Sequence, residues 1–184
     1  MPIEIIRCLS DNYAYLIHDP ASGETILVDI PEAAPILSTL RARGWTLTGI
    51  YITHHHDDHH MGLAALLDEA PAPVWGHAAD AHRLPPLDHA FAVGDTLPGG
   101  ALVMDAPGHT LGQVAFHFPA QGALFCADSL MIHGCGRLFE GTADDMFATM
   151  ERFAALPDHT RIYSGHDYAR ANLAFAARFA PDPA

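Results

Sequence analysis

Thr53-His54-His55-His56-Asp57-Asp58-His59-His60 sets five imidazoles and two carboxylates into eight consecutive residues. A helix or a regular strand could not aim His54, His56, Asp58 and His59 at one point, but a tight loop can. Imidazole and carboxylate together suit zinc, iron or manganese better than magnesium or calcium, which prefer all-oxygen shells. The preceding Leu47 to Thr53 reads as a buried strand, and Gly62 to Glu69 as a helix, so the run occupies a strand-to-helix loop where catalytic residues gather. His55 and Asp57 alternate with the four candidates and are expected to point away, into supporting contacts or packing. His60 reads as an exposed loop histidine.

The same signature recurs downstream, one residue at a time. Pro107-Gly108-His109-Thr110, Cys126-Ala127-Asp128-Ser129 and Ser164-Gly165-His166-Asp167 each follow an apolar strand, at Ala101 to Asp105, Ala123 to Ala127 and Arg161 to Ser164. A lone histidine is usually structural. Three strand ends that each deliver a ligand-type residue, added to the first cluster, point instead to a metal site gathered along one edge of a sheet.

Outward from these motifs the chain alternates strands and helices. Ile3 to Arg7, Ala14 to His18 and Thr25 to Asp29 read as an antiparallel meander, and Ala33 to Arg43 as a helix stopped by Gly44. Val74 to Gly76 is a short strand, residues 78–100 are loop and turn, and Val114 to Phe118 is a further strand. Thr142 caps a helix with Asp144 and Asp145 in its first turn, and a last helix runs from Tyr168 to Phe179. With 184 residues, 49% hydrophobic and 17% charged, the chain is expected to form a single catalytic domain over 1–184.

The balance of 9 Lys+Arg against 22 Asp+Glu, a net charge of −13, is the wrong sign for a nucleic-acid binder. Cys8, Cys126 and Cys135 are too few and scattered for a disulfide framework or a Cys-x-x-Cys metal knuckle. No basic leader precedes a long apolar run and no segment reaches membrane-spanning length, so no membrane role and a cytoplasmic location are expected. Oligomeric state is not legible. The 14 histidines call for a chemical explanation.

Thr53 to His59, Pro107-Gly108-His109-Thr110-Leu111-Gly112, Gly134-Cys135-Gly136-Arg137-Leu138-Phe139-Glu140-Gly141-Thr142 and Ser164-Gly165-His166-Asp167-Tyr168 together resemble the metallo-β-lactamase superfamily and, within it, the glyoxalase II family of hydroxyacylglutathione hydrolases. Asp11-Asn12-Tyr13-Ala14-Tyr15-Leu16-Ile17 resembles that family's first strands. The resemblance implies an α/β fold, the αβ/βα four-layer sandwich. It assigns His54, His56 and His109 to one metal and Asp58, His59 and His166 to another, with Asp128 bridging.

Two divalent ions are implied, zinc first and iron or manganese next, with Asp58 and Asp128 as the catalytic carboxylates and Asp58 orienting the nucleophile. The implied reaction is hydrolysis of a small acyl-thioester such as S-lactoylglutathione to acid and thiol, by a hydroxide that bridges the two metals. Arg137 and Tyr168 are the implied substrate contacts, with Asn172 supporting the same region. Competing readings on the same scaffold are a β-lactam or lactone hydrolase and a mononuclear-iron persulfide dioxygenase. The chain departs from the family's pattern at His60-Met61-Gly62-Leu63 and at Gln113. The family's C-terminal helical substrate domain is expected to be absent after Pro183-Ala184. His18, His77, His82, His89, His117, His133 and His159 read as structural or surface residues.

Overall fold

A computed structural model describes residues 1–179; positions 180–184, including Pro183 and Ala184, lie outside the described residues. Two sheets lie between helices. The first has six strands in the order β1 (Ile3–Cys8), β2 (Asn12–His18), β3 (Thr25–Val28), β4 (Gly49–Tyr51), β5 (Val74–His77) and β6 (His89–Phe91). The second has five, ordered β11 (Arg161–Ser164), β10 (Ala123–Ala127), β9 (Val114–Phe118), β8 (Ala101–Asp105) and β7 (Thr96–Leu97). β1 to β3 form the expected antiparallel meander, after which β3 to β6 pair in parallel.

Strand periodicity explains the layering. Successive side chains of a strand face opposite sides of its sheet. Tyr15 and Ile17 of β2 point between the sheets, as do Ile26 and Val28 of β3; Ala14, Leu16 and Leu27 point outward. On the second sheet Val114, Phe116 and Phe118 of β9 and Phe125 of β10 face the same central layer, while Ala115, Leu124 and Cys126 face away. Helix α1 (Ala33–Arg43) covers the outer face of the first sheet with Ile36, Leu37 and Leu40, and α2 (Leu63–Glu69) adds Leu63 and Leu66. Helix α3 (Ala143–Ala154) covers the second with Phe153. Helix, sheet, sheet, helix is the expected αβ/βα sandwich, and a wholly buried side chain such as Phe116 contributes about 1.5–3 kcal/mol of apolar burial.

The helix ends follow their sequence signals. Gly44 closes α1 in the left-handed conformation, and Thr142 and Asp145 form a reciprocal capping box at the start of α3. The last helix, α4, is shorter than expected, at Ala169–Ala176. The buried strand expected over 47–53 is also shorter, because its last residues leave the first ladder. Thr53 N–H donates to the Asp29 carboxylate, and Thr53 C=O accepts from Val114 of the other sheet at 3.1 Å. Within 78–100, expected to be loop and turn, β6 and β7 extend one edge of each sheet.

Candidate metal centre

The ends of β4, β8, β10 and β11 open at the same edge of the sandwich and supply every candidate ligand. The β4 end leads into Thr53 and the histidine loop, where a single helical turn over Asp57–His59 swings Asp58 and His59 back toward the sheet. His109 follows β8, Asp128 follows β10, and His166 follows β11. Two residues at this edge hold positive φ, Asp29 at 57° and Ala127 at 43°, a strain that turns each chain sharply out of its strand. Gly165 lies where a Cβ would collide with the Asp128 carboxylate and come within 2.8 Å of His59 Cε1, so only glycine lets the β11 end pass.

All seven expected ligands converge. Donor atoms of His54, His56 and His109 lie within 4.8 Å of one another, as do those of Asp58, His59 and His166, and those of His54, His59 and Asp128. His56 Nδ1 faces His54 Nε2 at 3.1 Å and His109 Nε2 at 2.9 Å. Asp128 stands between the groups: Oδ1 is 3.4 Å from His59 Nε2, and Oδ2 is 3.4 Å from both His109 Nε2 and His166 Nε2. Asp58 Oδ2 lies 3.3 Å from His166 Nε2.

The outward-facing ring nitrogens fix these orientations. His109 Nδ1 donates to the Arg137 carbonyl at 2.7 Å, so its neutral ring presents a bare Nε2 lone pair to the centre. Thr53 Oγ1 donates to Asp29 Oδ2 at 2.8 Å and accepts from His54 Nδ1 at 3.0 Å, which bares His54 Nε2 in the same way. His59 Nδ1 donates to Asp29 at 2.8 Å and His166 Nδ1 to Asp11 at 2.9 Å. A proton on His56 Nδ1 could satisfy only one of its two imidazole neighbours, whereas a cation accepts all three lone pairs. His59 Nε2 and Asp128 Oδ1 are buried without a hydrogen-bond partner, and such orphans are rare unless an ion or water completes them. The residues fit divalent-metal binding.

Electrostatics divides the centre in two. Burial, reinforced by neighbouring imidazoles, holds His54, His56 and His109 below the usual histidine range and keeps their rings neutral. Burial also opposes charge on His59 and His166, but carboxylates outweigh it: Asp29 and Asp128 hold His59 up, and Asp128, Asp58 and Asp11 push His166 up to about 10. The hydrogen bond from His166 drops Asp58 well below the carboxylate range, with Asn12 adding to it. Asp128 stays ionised despite burial because His166 and His59 face it.

The centre forms the floor of a cavity of about 680 Å³ whose wall includes Met131, Cys135, Arg137, Phe139 and Tyr168. Arg137 is exposed, with its guanidinium 5.6 Å above the Phe139 ring, and Tyr168 stacks on His166 at 4.9 Å. Asn172 is not in the cavity lining; its amide donates to the Ile132 carbonyl at 3.0 Å and so braces the neighbouring turn. His55 points away to Asp80 as expected, but Asp57 does not: it is exposed and lines the cavity, because the helical turn breaks the alternation. His60 is half-buried, with Nε2 bonded to His55 O at 3.0 Å. Gln113 is buried and donates to Ser129 Oγ at 2.6 Å, so it steadies the Asp128 turn.

Sequence reasoning missed Asp29, Asp11 and Asn12. Asn12 donates to Asp58 Oδ2 at 2.9 Å and to its carbonyl at 3.1 Å. Asp29 carries the signal that singled out Asp128, an acid closing an apolar strand.

The family model described as the Metallo-beta-lactamase superfamily matches residues 10–166. The hydroxyacylglutathione hydrolase of Jannaschia sp. (strain CCS1) is 58% identical over 180 residues, covering 96% of this chain and 70% of that protein. The hydroxyacylglutathione hydrolase of Ruegeria pomeroyi is 57% identical over 189 residues, covering 100% and 74%. Among solved structures, ETHE1 from Myxococcus xanthus superposes with a TM-score of 0.78 at 30% identity, covering 91% of this chain and 76% of that one. A protein described as TTHA1623 in a di-iron-bound form has a TM-score of 0.78 at 26% identity, covering 90% and 92%.

Proposed function

Because the chain belongs to the metallo-β-lactamase superfamily, among its hydroxyacylglutathione hydrolases, we propose that it hydrolyses a glutathione thioester such as S-lactoylglutathione with the help of two bound divalent cations. His54, His56 and His109 would hold one cation and Asp58, His59 and His166 the other, with Asp128 shared. Bound there, the pair supplies Lewis acidity, lowering the pKa of water toward neutrality and polarising the scissile carbonyl.

The chain's own residues do the rest. Asp58, kept ionised by His166 and held by the Asn12 amide, offers a carboxylate oxygen at the cavity floor that accepts and orients the proton of an attacking water. Asp29 and Asp11 hold the rings of His59 and His166, and the Arg137 carbonyl holds that of His109, so the floor does not reorganise during the reaction. Arg137 gives the cavity wall a cation for a substrate carboxylate, while Phe139 and Tyr168 offer flat apolar faces to the carrier. A net charge of −13 argues against nucleic acid, and no described helix is long and apolar enough to cross a membrane. The charge accords with an enzyme acting on a small molecule, which we place in the cytoplasm.

The observation that carries this reading is the orphaned pair His59 Nε2 and Asp128 Oδ1, buried 3.4 Å apart amid the other donors. Zinc is the first expectation; the di-iron form of the TTHA1623 relative keeps iron in view. The β-lactam, lactone and persulfide readings are not favoured, since the curated relatives at 52–58% identity are named for acylglutathione hydrolysis. Thioester loss from S-lactoylglutathione, measured before and after chelation and again after zinc is returned, tests the proposal. Activity should vanish and come back; turnover indifferent to chelation would contradict it.

A further inference from the structure

Residues 136–141 run alongside the His109 loop. Gly136 N–H donates to Asp128 O at 2.8 Å, Phe139 N–H to His109 O at 3.1 Å and Gly141 N–H to Gly108 O at 3.1 Å. Arg137 and Phe139 turn from this segment into the cavity, whereas Glu140 turns away from it. Glu140 Oε2 accepts from Leu111 N–H at 2.8 Å and from Arg83 Nη2 at 3.2 Å, and Oε1 contacts Arg83 Nη1. Oε1 also lies 3.6 Å from His55 Nε2.

The contacts continue inward. Arg83 Nε donates to Asp80 Oδ1 at 2.6 Å, and Asp80 Oδ2 meets His55 Nδ1 at 3.2 Å. Asp80 is 2% exposed, so its charge depends on these partners. His55 lies between His54 and His56 in the chain, and Leu111 two residues beyond His109. One carboxylate therefore gathers the cavity wall and two loops that carry metal-ligand candidates.

We propose that Glu140 is a positioning residue for the thioester reaction: through Arg83, Leu111 and His55 its carboxylate fixes the segment bearing Arg137 and Phe139 against the loops bearing His54, His56 and His109. The inference rests on the thioester reading of the cavity. A two-pronged guanidinium contact sets direction as well as attraction, and a partly exposed ion pair contributes little to stability by itself. The Arg137 and Phe139 side chains form the wall and donate nothing to the cations, so their displacement is felt in substrate binding as long as the Arg137 carbonyl keeps its bond to His109 Nδ1.

The test uses the metal-loaded full chain with Glu140→Gln, Arg83→Met and the double variant, and Asp145→Ala as a control that loosens the α3 cap. With S-lactoylglutathione, Glu140→Gln should raise KM about tenfold, leave kcat within about twofold and keep the metal-to-protein ratio. Combined with Arg83→Met its effect on KM should be less than additive, because the two share the ion pair. Amide exchange at Phe139 and Gly141 should quicken in Glu140→Gln and not in Asp145→Ala. An unchanged KM, or a fall in kcat that tracks metal loss, overturns the proposal. If the wild type leaves S-lactoylglutathione intact, the substrate reading fails by itself, and the exchange of Phe139 and Gly141 then decides: quickened in Glu140→Gln it supports the positioning role, unchanged it overturns it.

Discussion

At the scale of single residues, Asp29 is a hub that lies outside the candidate ligand groups. Its two oxygens accept from Thr53 N–H, Thr53 Oγ1 and His59 Nδ1, all buried. Asp29→Ala strands these donors, and buried unsatisfied groups cost about 1–3 kcal/mol each. It should lower the stability of the metal-free protein by about 3 kcal/mol in urea unfolding and weaken metal retention about 10–100-fold in chelator competition. Glu140 gives a pH prediction. The ion pair with Arg83 holds its carboxyl down to about 2 from an ordinary 4.5. A depressed pKa stabilises the fold above the ordinary value, and that contribution is lost as pH falls from about 4.5 through about 2. The stability gap between wild type and Glu140→Gln, small for a partly exposed pair, should therefore narrow across that window; a gap independent of pH would show that the pair is not formed.

At the scale of elements, strand ends build the centre and helices hold the strands. Gly165→Ala pushes a Cβ against Asp128 and His59 at the end of β11, so it should empty the centre of metal and cut activity at least tenfold while the far-ultraviolet dichroism is kept. Thr142→Ala removes one half of the α3 capping box and should cost about 1 kcal/mol with kcat unchanged. The two variants separate site from scaffold. The elements legible in the sequence were those with a strong period or cap, such as β9, β10, α1 and α3. The ligand candidates that converge were legible because imidazoles and carboxylates recur after apolar strands, a pattern with few other uses. β6 and β7 were not, since three and two residues respectively carry no measurable alternation. Asp11 and Asp29 were hidden because their partners, His166 and His59, lie 155 and 30 residues away, and such pairing is fixed only when the sheets close. Asp57 was misjudged because strand-like alternation was assumed where the chain makes a helical turn.

At the scale of the whole molecule, the two-sheet sandwich brings distant strand ends to one edge, and cations held there would in turn tie those ends together. Ligands that bind only the folded state stabilise it, by about 4 kcal/mol at a thousandfold excess over Kd. Chelation should accordingly lower Tm by several degrees, and zinc should restore it. The chain spans 70–74% of the length of the hydroxyacylglutathione hydrolases compared above, and residues 10–166 already contain all seven ligand candidates. The most direct measurement is the metal content of the purified protein beside its Asp128→Asn variant, by elemental analysis after exhaustive dialysis. Two ions per chain in the wild type, and fewer with lost thioester turnover in the variant, are expected. One ion or none in a fully active wild type, or two in both proteins with equal turnover, would contradict a shared Asp128 at the heart of a paired metal centre.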